Sequence, residues 1–379
     1  MRAEGIVREV LCDVEREIHR ARFGAVCAAV TALIYGGQVG LAALGRTINR
    51  RSHKHGIKRI DRLLGNEALG AELELIYAAI ARYVLRSVAR PVILLDWTES
   101  GRGMYSLTAA VPLHGRAIAI YSVTVPRAQY TARRVENAFL EKLRTLLPSN
   151  CRPILVGDAG FRAPWMRYVQ QMGWDFVARI RGRTLVQRID GEAWQHWKQL
   201  TTSTRSKPRL LGTYRIVRQM AVEARLVLVG RRAPTSAETR RRARARRAAR
   251  GNREAWLLAT SLSWSASQVV HIYKARMQIE LTFRDLKSHR FGWGFEDARC
   301  RSIMRVAVQL MLAAVASLVV VLVGIAAETA GIQKQFQANT IRNRRVLSLV
   351  TLGRAVIDAV DKRLRIPRLE DHLPFVGIP

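Results

Sequence analysis

Residues Val306 to Ala327 carry no charged side chain and are apolar apart from Gln309 and Ser317, a run long enough to cross a bilayer as one helix. Water does not tolerate such a helix on a surface, so the chain must either place it in lipid or wrap other segments round it. The run is rich in Ala, has no aromatic belt at either end and has no second copy elsewhere in the chain, which points to the core helix of a folded domain. A membrane span is the alternative, separable by fractionation. With 379 residues the chain has material for two or three structural units and for a core large enough to enclose that helix.

The rest of the chain is strongly basic. Lys and Arg number 63 against 29 Asp and Glu, a formal charge of +34 spread along the whole length. Charge on that scale repels itself unless a polyanion is near, and for a soluble protein that polyanion is nucleic acid. A ribosomal or nucleoid protein would share the bias, so the charge names a partner class and no activity. Cys12, Cys27, Cys151 and Cys300 are far apart, and none forms a C-x-x-C pair with histidines at zinc spacing, as expected of a reducing, cytoplasmic protein without structural zinc. Met1 to Glu15 mixes charged and apolar residues and lacks the pattern of a secretion signal.

Residues 1–85 read as a helical, DNA-binding domain, with apolar residues at three- and four-residue steps through Val26, Val30, Leu33 and Ile34, then Leu41, Leu44 and Ile48. Gln38 to Gly45, Thr47 to Ser52 and Gly56 to Leu64 are expected as short helices joined by turns. The last carries Lys58, Arg59 and Arg62, which suits a helix-turn-helix setting a basic helix against DNA and equally suits a solvated basic face.

Residues 86–181 change character. Strands are expected at Val92 to Trp97, Tyr105 to Val111 and Ala117 to Val125, then a helix from about Ala132 to Leu147 and a fourth strand at Pro153 to Val156. That order opens a ribonuclease-H-like α/β core, a mixed sheet flanked by helices. Residues 182–253 read as a β-rich insertion with strands at Thr184 to Ile189, Tyr214 to Arg218 and Arg225 to Val229. It ends in an arginine-rich stretch, Thr239 to Arg253, a solvated loop by default and a phosphate clamp if it lies beside DNA. Residues 254–330 return to the core, with a strand at Trp256 to Leu262 and one long helix from Ser265 to about Arg290, capped by Ser265 or Ser267. Residues 331–379 form a C-terminal helical segment.

That long helix carries the chemistry. With Tyr273 at zero and about 100° per residue, Arg276 falls near about −60°, Glu280 near about −20° and Lys287 near about −40°, so the four share one face. Ile272, Ile279, Phe283 and Leu286 form the adjoining apolar stripe. Surface decoration would give the same charges; the company of Glu280 decides against it. Asp96 interrupts an apolar run, Val-Ile-Leu-Leu-Asp-Trp, where a carboxylate is costly unless a metal or cation compensates it. Asp158 follows Ile-Leu-Val-Gly at a strand end, where sheet enzymes place functional groups. Two such aspartates and a helix glutamate make a carboxylate cage suited to Mg²⁺.

Tyr273-x2-Arg276-x3-Glu280-x6-Lys287 resembles the Y-x2-R-x3-E-x6-K signature of the insertion-sequence-four family of DDE transposases, which includes the transposon-five-like enzymes. Gly56 to Asn66 is similar to that family's N-terminal DNA-binding segment, Asp158-Ala-Gly-Phe161 to its second-aspartate motif, and Trp256-Leu-Leu-Ala-Thr-Ser to the strand before its glutamate helix. Met277 stands where the transposon-five-like branch has an aromatic residue.

The resemblance implies a ribonuclease-H-like core interrupted by a β insertion between Asp158 and Glu280. It implies Asp96, Asp158 and Glu280 as the catalytic triad for two Mg²⁺ ions, with Mn²⁺ as a substitute, and Tyr273, Arg276 and Lys287 as contacts to phosphates and DNA ends. Trp256 would stack on a flipped base, or else is a core tryptophan opening a strand. The partners implied are double-stranded DNA, as terminal inverted repeats and as target, and a second copy of the chain in the DNA complex, in a prokaryotic cytoplasm at the nucleoid. A decayed, non-catalytic transposase or a nuclease of the same fold are the rival functions.

Overall fold

The computed structural model describes all residues except 1–2, 87, 192, 202–206, 231–254, 291, 339, 342–343, 360–365, 367 and 375–379. The arginine-rich stretch expected at Thr239 to Arg253 therefore lies outside the described residues. The chain divides into two units: the first comprises residues 1–132, 138–151 and 277–379, the second residues 133–137 and 152–276.

In the first unit, helices α1 (Ala3–Val10), α2 (Arg20–Gly36), α3 (Leu41–Ile48), α4 (His53–Leu64) and α5 (Glu67–Leu85) precede strands β1 (Val92–Gly101), β2 (Met104–Leu113) and β3 (Arg116–Pro126). The strands form an antiparallel sheet in the order β3-β2-β1. The β2–β3 hairpin closes through His114 (φ 45°) and Gly115 (φ 92°), a two-residue turn whose left-handed backbone matches the twist of the strands. Helix α6 (Arg133–Leu146) lays Phe139 on Tyr121 of β3, ring centroids 4.7 Å apart.

Three short helices were expected between Gln38 and Leu64; the structure has two. Asn49 accounts for the difference, because its Oδ1 accepts from the Arg51 N–H (3.2 Å) and the Ser52 N–H (3.0 Å) and so turns the chain where a helix was expected. Helices α3 and α4 cross at two glycines. A Cβ on Gly56 would lie 1.9 Å from the Gly45 carbonyl oxygen, and one on Gly45 would lie 2.5 Å from Ile57 Cα. No other residue type permits backbones that close.

The apolar run forms α10 (Ile303–Thr329), numbered after α7 to α9, introduced below. Among the described residues it is the one helix long and apolar enough to cross a membrane, and 94% of its apolar stretch is buried. It packs against α1, α2, α5, β3 and α11 (Leu349–Ala359) of the same unit. Gln309, 1% exposed, donates from Nε2 to the Val39 carbonyl (3.2 Å), and Arg305 pairs with Asp61 of α4 at 2.7 Å.

The second unit holds a seven-stranded sheet in the order β4-β5-β10-β9-β8-β6-β7. Its strands are β4 (Ile154–Gly157), β5 (Asp175–Ile180), β6 (Leu185–Arg188), β7 (Gln195–His196), β8 (Arg209–Ile216), β9 (Val222–Val229) and β10 (Trp256–Thr260). Only β4 and β5 pair in parallel among these neighbours, and α7 (Ala163–Gln171) makes the crossover that a parallel pair requires. The β-rich segment after Gly182 joins this sheet through β9 against β10. Helix α8 (Ala266–Ala275) begins in a capping box between Ser265 and Gln268.

The expected single helix from Ser265 to Arg290 is two: α8 ends at Ala275, and α9 (Met277–Lys287) follows, with Arg276 between them. Arg276 keeps right-handed dihedrals (φ −52°, ψ −32°), yet its N–H bonds the Tyr273 carbonyl three residues back at 3.1 Å. The helix tightens for one step. No glycine or proline marks the place, so residue periodicity runs through it unbroken. The division between the units falls at the same peptide, Arg276 to Met277.

Candidate active site

Asp96 lies in the middle of β1, half-buried, with Oδ1 accepting from the Trp97 N–H at 2.9 Å. The register sets it opposite Thr108 of β2, itself opposite Ser122 of β3, and those two hydroxyls bond at 2.9 Å. Two residues along on the same face, Ser106 Oγ donates to Ser100 Oγ (2.7 Å) and bonds Thr124 Oγ1 (2.8 Å). Strand alternation thus produces a row of hydroxyls with one carboxylate in it.

Helix α9 packs across β1, β2 and β3, and its polar residues fix it there. Gln278 Oε1 accepts from the N–H groups of Leu113 (3.0 Å) and Gly115 (3.2 Å). Thr282 Oγ1 accepts from the Ala117 N–H at 2.8 Å, and Asp285 pairs with Arg116. A cavity of about 50 Å³ lined by Thr108, Ser122, Ile279, Thr282 and Phe283 lies between the hydroxyl row and the helix. Glu280, half-buried, occupies the first turn of α9, where the helix dipole favours a carboxylate. Lys287, at the other end, lines a cavity of about 380 Å³ together with Arg102, Arg299 and Arg301.

In the second unit, Asp158 is the residue after β4, and its Oδ1 accepts from the Gly160 N–H at 2.8 Å. A Cβ at position 160 would come within 2.9 Å of that oxygen, so glycine lets the turn close on the carboxylate. Tyr273 of α8 is 3% exposed. Its ring meets Trp256, at the head of β10, edge-on at 5.1 Å, and the Arg276 guanidinium lies 6.0 Å from its centre. Burial raises the Tyr273 phenol above its ordinary pKa; Arg276 and Arg179 oppose the shift and Asp158 adds to it. Asp158, Arg179 and Arg276 therefore all lie within electrostatic reach of one buried hydroxyl, which stays protonated and able to donate.

The sequence-derived residues thus fall into two sets. Asp96, Glu280 and Lys287 belong to the first unit, and Asp158, Trp256, Tyr273 and Arg276 to the second. Among the described residues no three His, Cys, Asp or Glu side chains form a group that could hold a metal ion. Of the four residues drawn on one helical face, Tyr273 lies on α8, Arg276 caps it, and Glu280 and Lys287 lie on α9. Lys58, Arg59 and Arg62 are exposed on α4. Sequence reasoning missed Gln278 and Thr282, whose polar side chains read as surface, and Arg179, whose place between Ala178 and Ile180 in an apolar strand was the available sign.

A family model described as a transposase DDE domain matches residues 90–319, more than half of the chain. No curated protein matches. Among solved structures, the cryo-EM structure of a piggyBac transposase synaptic complex with hairpin DNA is similar with a TM-score of 0.43 and 10% sequence identity, over 93% of this chain and 75% of that one.

Proposed function

The chain belongs to the transposase DDE-domain family, and we propose from that premise that it is of the insertion-sequence-four type, moving an element by cut-and-paste with Asp96, Asp158 and Glu280 as its catalytic carboxylates. One observation carries the reading: the family match over residues 90–319 spans all three carboxylates and also Trp256, Tyr273, Arg276 and Lys287. The antiparallel three-stranded sheet, the β4–α7–β5 crossover and the helix after β10 support a ribonuclease-H-like core.

The donor set is carboxylate alone, which suits a hard divalent cation, and each aspartate is oriented by a backbone N–H. Asp96, Asp158 and Glu280 would hold two Mg²⁺ ions, with Mn²⁺ in their place. Such a pair supplies activation of water or of a 3′-hydroxyl and stabilises the leaving oxygen during in-line displacement at phosphorus. The chain's own residues do the rest. Arg276 and Lys287 hold phosphates beside the scissile bond, the protonated Tyr273 donates to a phosphate oxygen, and Trp256 offers a ring to an unpaired base. Lys58, Arg59 and Arg62 bind the inverted repeats, and two copies assemble on a pair of ends, in a prokaryotic cytoplasm.

Glu280→Gln tests the assignment, since an amide keeps the shape of the carboxylate and binds Mg²⁺ poorly. The variant should bind element ends as the wild type does and should not nick them. Normal nicking would remove Glu280 from the site.

A further inference from the structure

We infer that the second unit carries a groove for the phosphodiester backbone of a DNA strand leading to Asp158, formed by Arg162, Arg179, Arg181, Arg183 and Arg218. The cavity is about 1030 Å³, and those five arginines line it without a single Asp or Glu. Cations confined together in this way repel one another unless an anion lies among them. Among the described residues, Arg162, Arg183 and Arg218 form no ion pair, and Arg162, Arg181, Arg183 and Arg218 are exposed.

The groove is built into the fold. Arg179 is the penultimate residue of β5, and Arg181 follows directly after its end. The chain then reverses at Gly182 (φ 76°), whose carbonyl accepts from Trp197 Nε1 at 3.0 Å, and Trp197 is 1% exposed. A buried indole thus pins the turn that presents Arg181 and Arg183. On the opposite lip Val217 is held at φ 59° while its N–H donates to the Leu185 carbonyl at 3.0 Å. A β-branched residue in the left-handed region is costly, and here it delivers Arg218 to the cavity.

Two further features match a nucleic-acid strand. Helix α7 opens on the groove with Ala163 and Pro164, and its N-cap residue Arg162 makes no side-chain cap, so the positive end of the helix faces the same space. Between the arginines the lining is apolar, from Ile180, Leu185 and Ile216, a surface suited to sugar faces. Ala159, next in sequence to Asp158, lines the groove as well, so a strand lying there runs up to that carboxylate.

The inference rests on the transposase reading for its ligand, and backbone contacts need no particular base sequence. The test is a salt series of affinities of the full-length protein for a fluorescein-labelled duplex of random sequence. Arg181→Ala/Arg183→Ala should lower the slope of log affinity against log salt by about two units and Arg218→Ala by about one. Arg152→Ala/Arg188→Ala removes the same charge outside the groove and should leave the slope at its wild-type value. Gln219→Glu, a near-isosteric change at an exposed lining residue, should weaken binding without disturbing the fold. Wild-type slopes in the groove variants, or equal losses in the control pair, overturn the groove. Absence of salt-dependent binding by the wild type would instead overturn the DNA-acting reading beneath it.

Discussion

Asp96 lies in the middle of a strand among hydroxyls, with its neighbours fixed by the register of three antiparallel strands, whereas Asp158 lies past the end of a strand in a glycine turn that leads, through Ala159, into a cavity lined by arginines. The first setting holds a carboxylate within a paired sheet. The second holds the carboxylate by one glycine turn, next to a groove lined by five arginines. Under the proposed function the sheet fixes the position of Asp96, and the groove brings the polyanion to Asp158.

That contrast can be broken by pairing substitutions. Asp96→Asn should abolish cleavage, by roughly 10³-fold or more if the lost metal contact is worth about 4 kcal/mol, and should leave DNA affinity near the wild-type value. Asp158→Asn should abolish cleavage equally and should tighten DNA binding, because it removes a negative charge next in sequence to Ala159 of the arginine-lined groove. Titrations of both variants on the same duplex read this directly; equal affinities would erase the distinction. Gly160→Ala comes next in size. The added Cβ displaces the Asp158 carboxylate, and misplacement by about 1 Å costs about 10²-fold in rate, visible in single-turnover nicking.

Arg276→Ala and Lys287→Ala should each lower the salt slope of end binding by about one unit; unchanged slopes would return both to the role of solvated charges. Thr282→Val removes the hydroxyl that accepts from Ala117 and so loosens α9 on β3. It should cost about 1 kcal/mol of stability in urea unfolding, with a larger proportional loss in cleavage than in binding, because α9 carries Glu280.

The strands around Asp96 were legible because apolar residues bounded by Gly and Pro turns leave few other ways to bury Val92 to Leu95. The buried helix was legible for the same reason, with no charge in it to place. The break at Arg276 was not, because one residue with helical dihedrals and a shifted hydrogen bond leaves no compositional mark. The crossing of Gly45 on Gly56 was not, because either glycine alone reads as a helix breaker, and only the fold shows that each makes room for the other. The arginine groove was hidden differently: Arg162, Arg183 and Arg218 are far apart in sequence, and the turns at Gly182 and Val217 bring them to one cavity.

Helix α10 also sets an order of events during synthesis. Helices α1, α2 and α5 and strand β3 all rest on it, yet it follows α5 by roughly 200 residues. The N-terminal helices, with Lys58, Arg59 and Arg62 on their surface, leave the ribosome long before the helix they pack against, and their apolar faces stay uncovered in the meantime. A message cut short before codon 303 would encode the whole basic N-terminal segment and none of the helix that closes its core. Such a fragment would carry apolar faces with nothing to cover them, the condition in which chains aggregate.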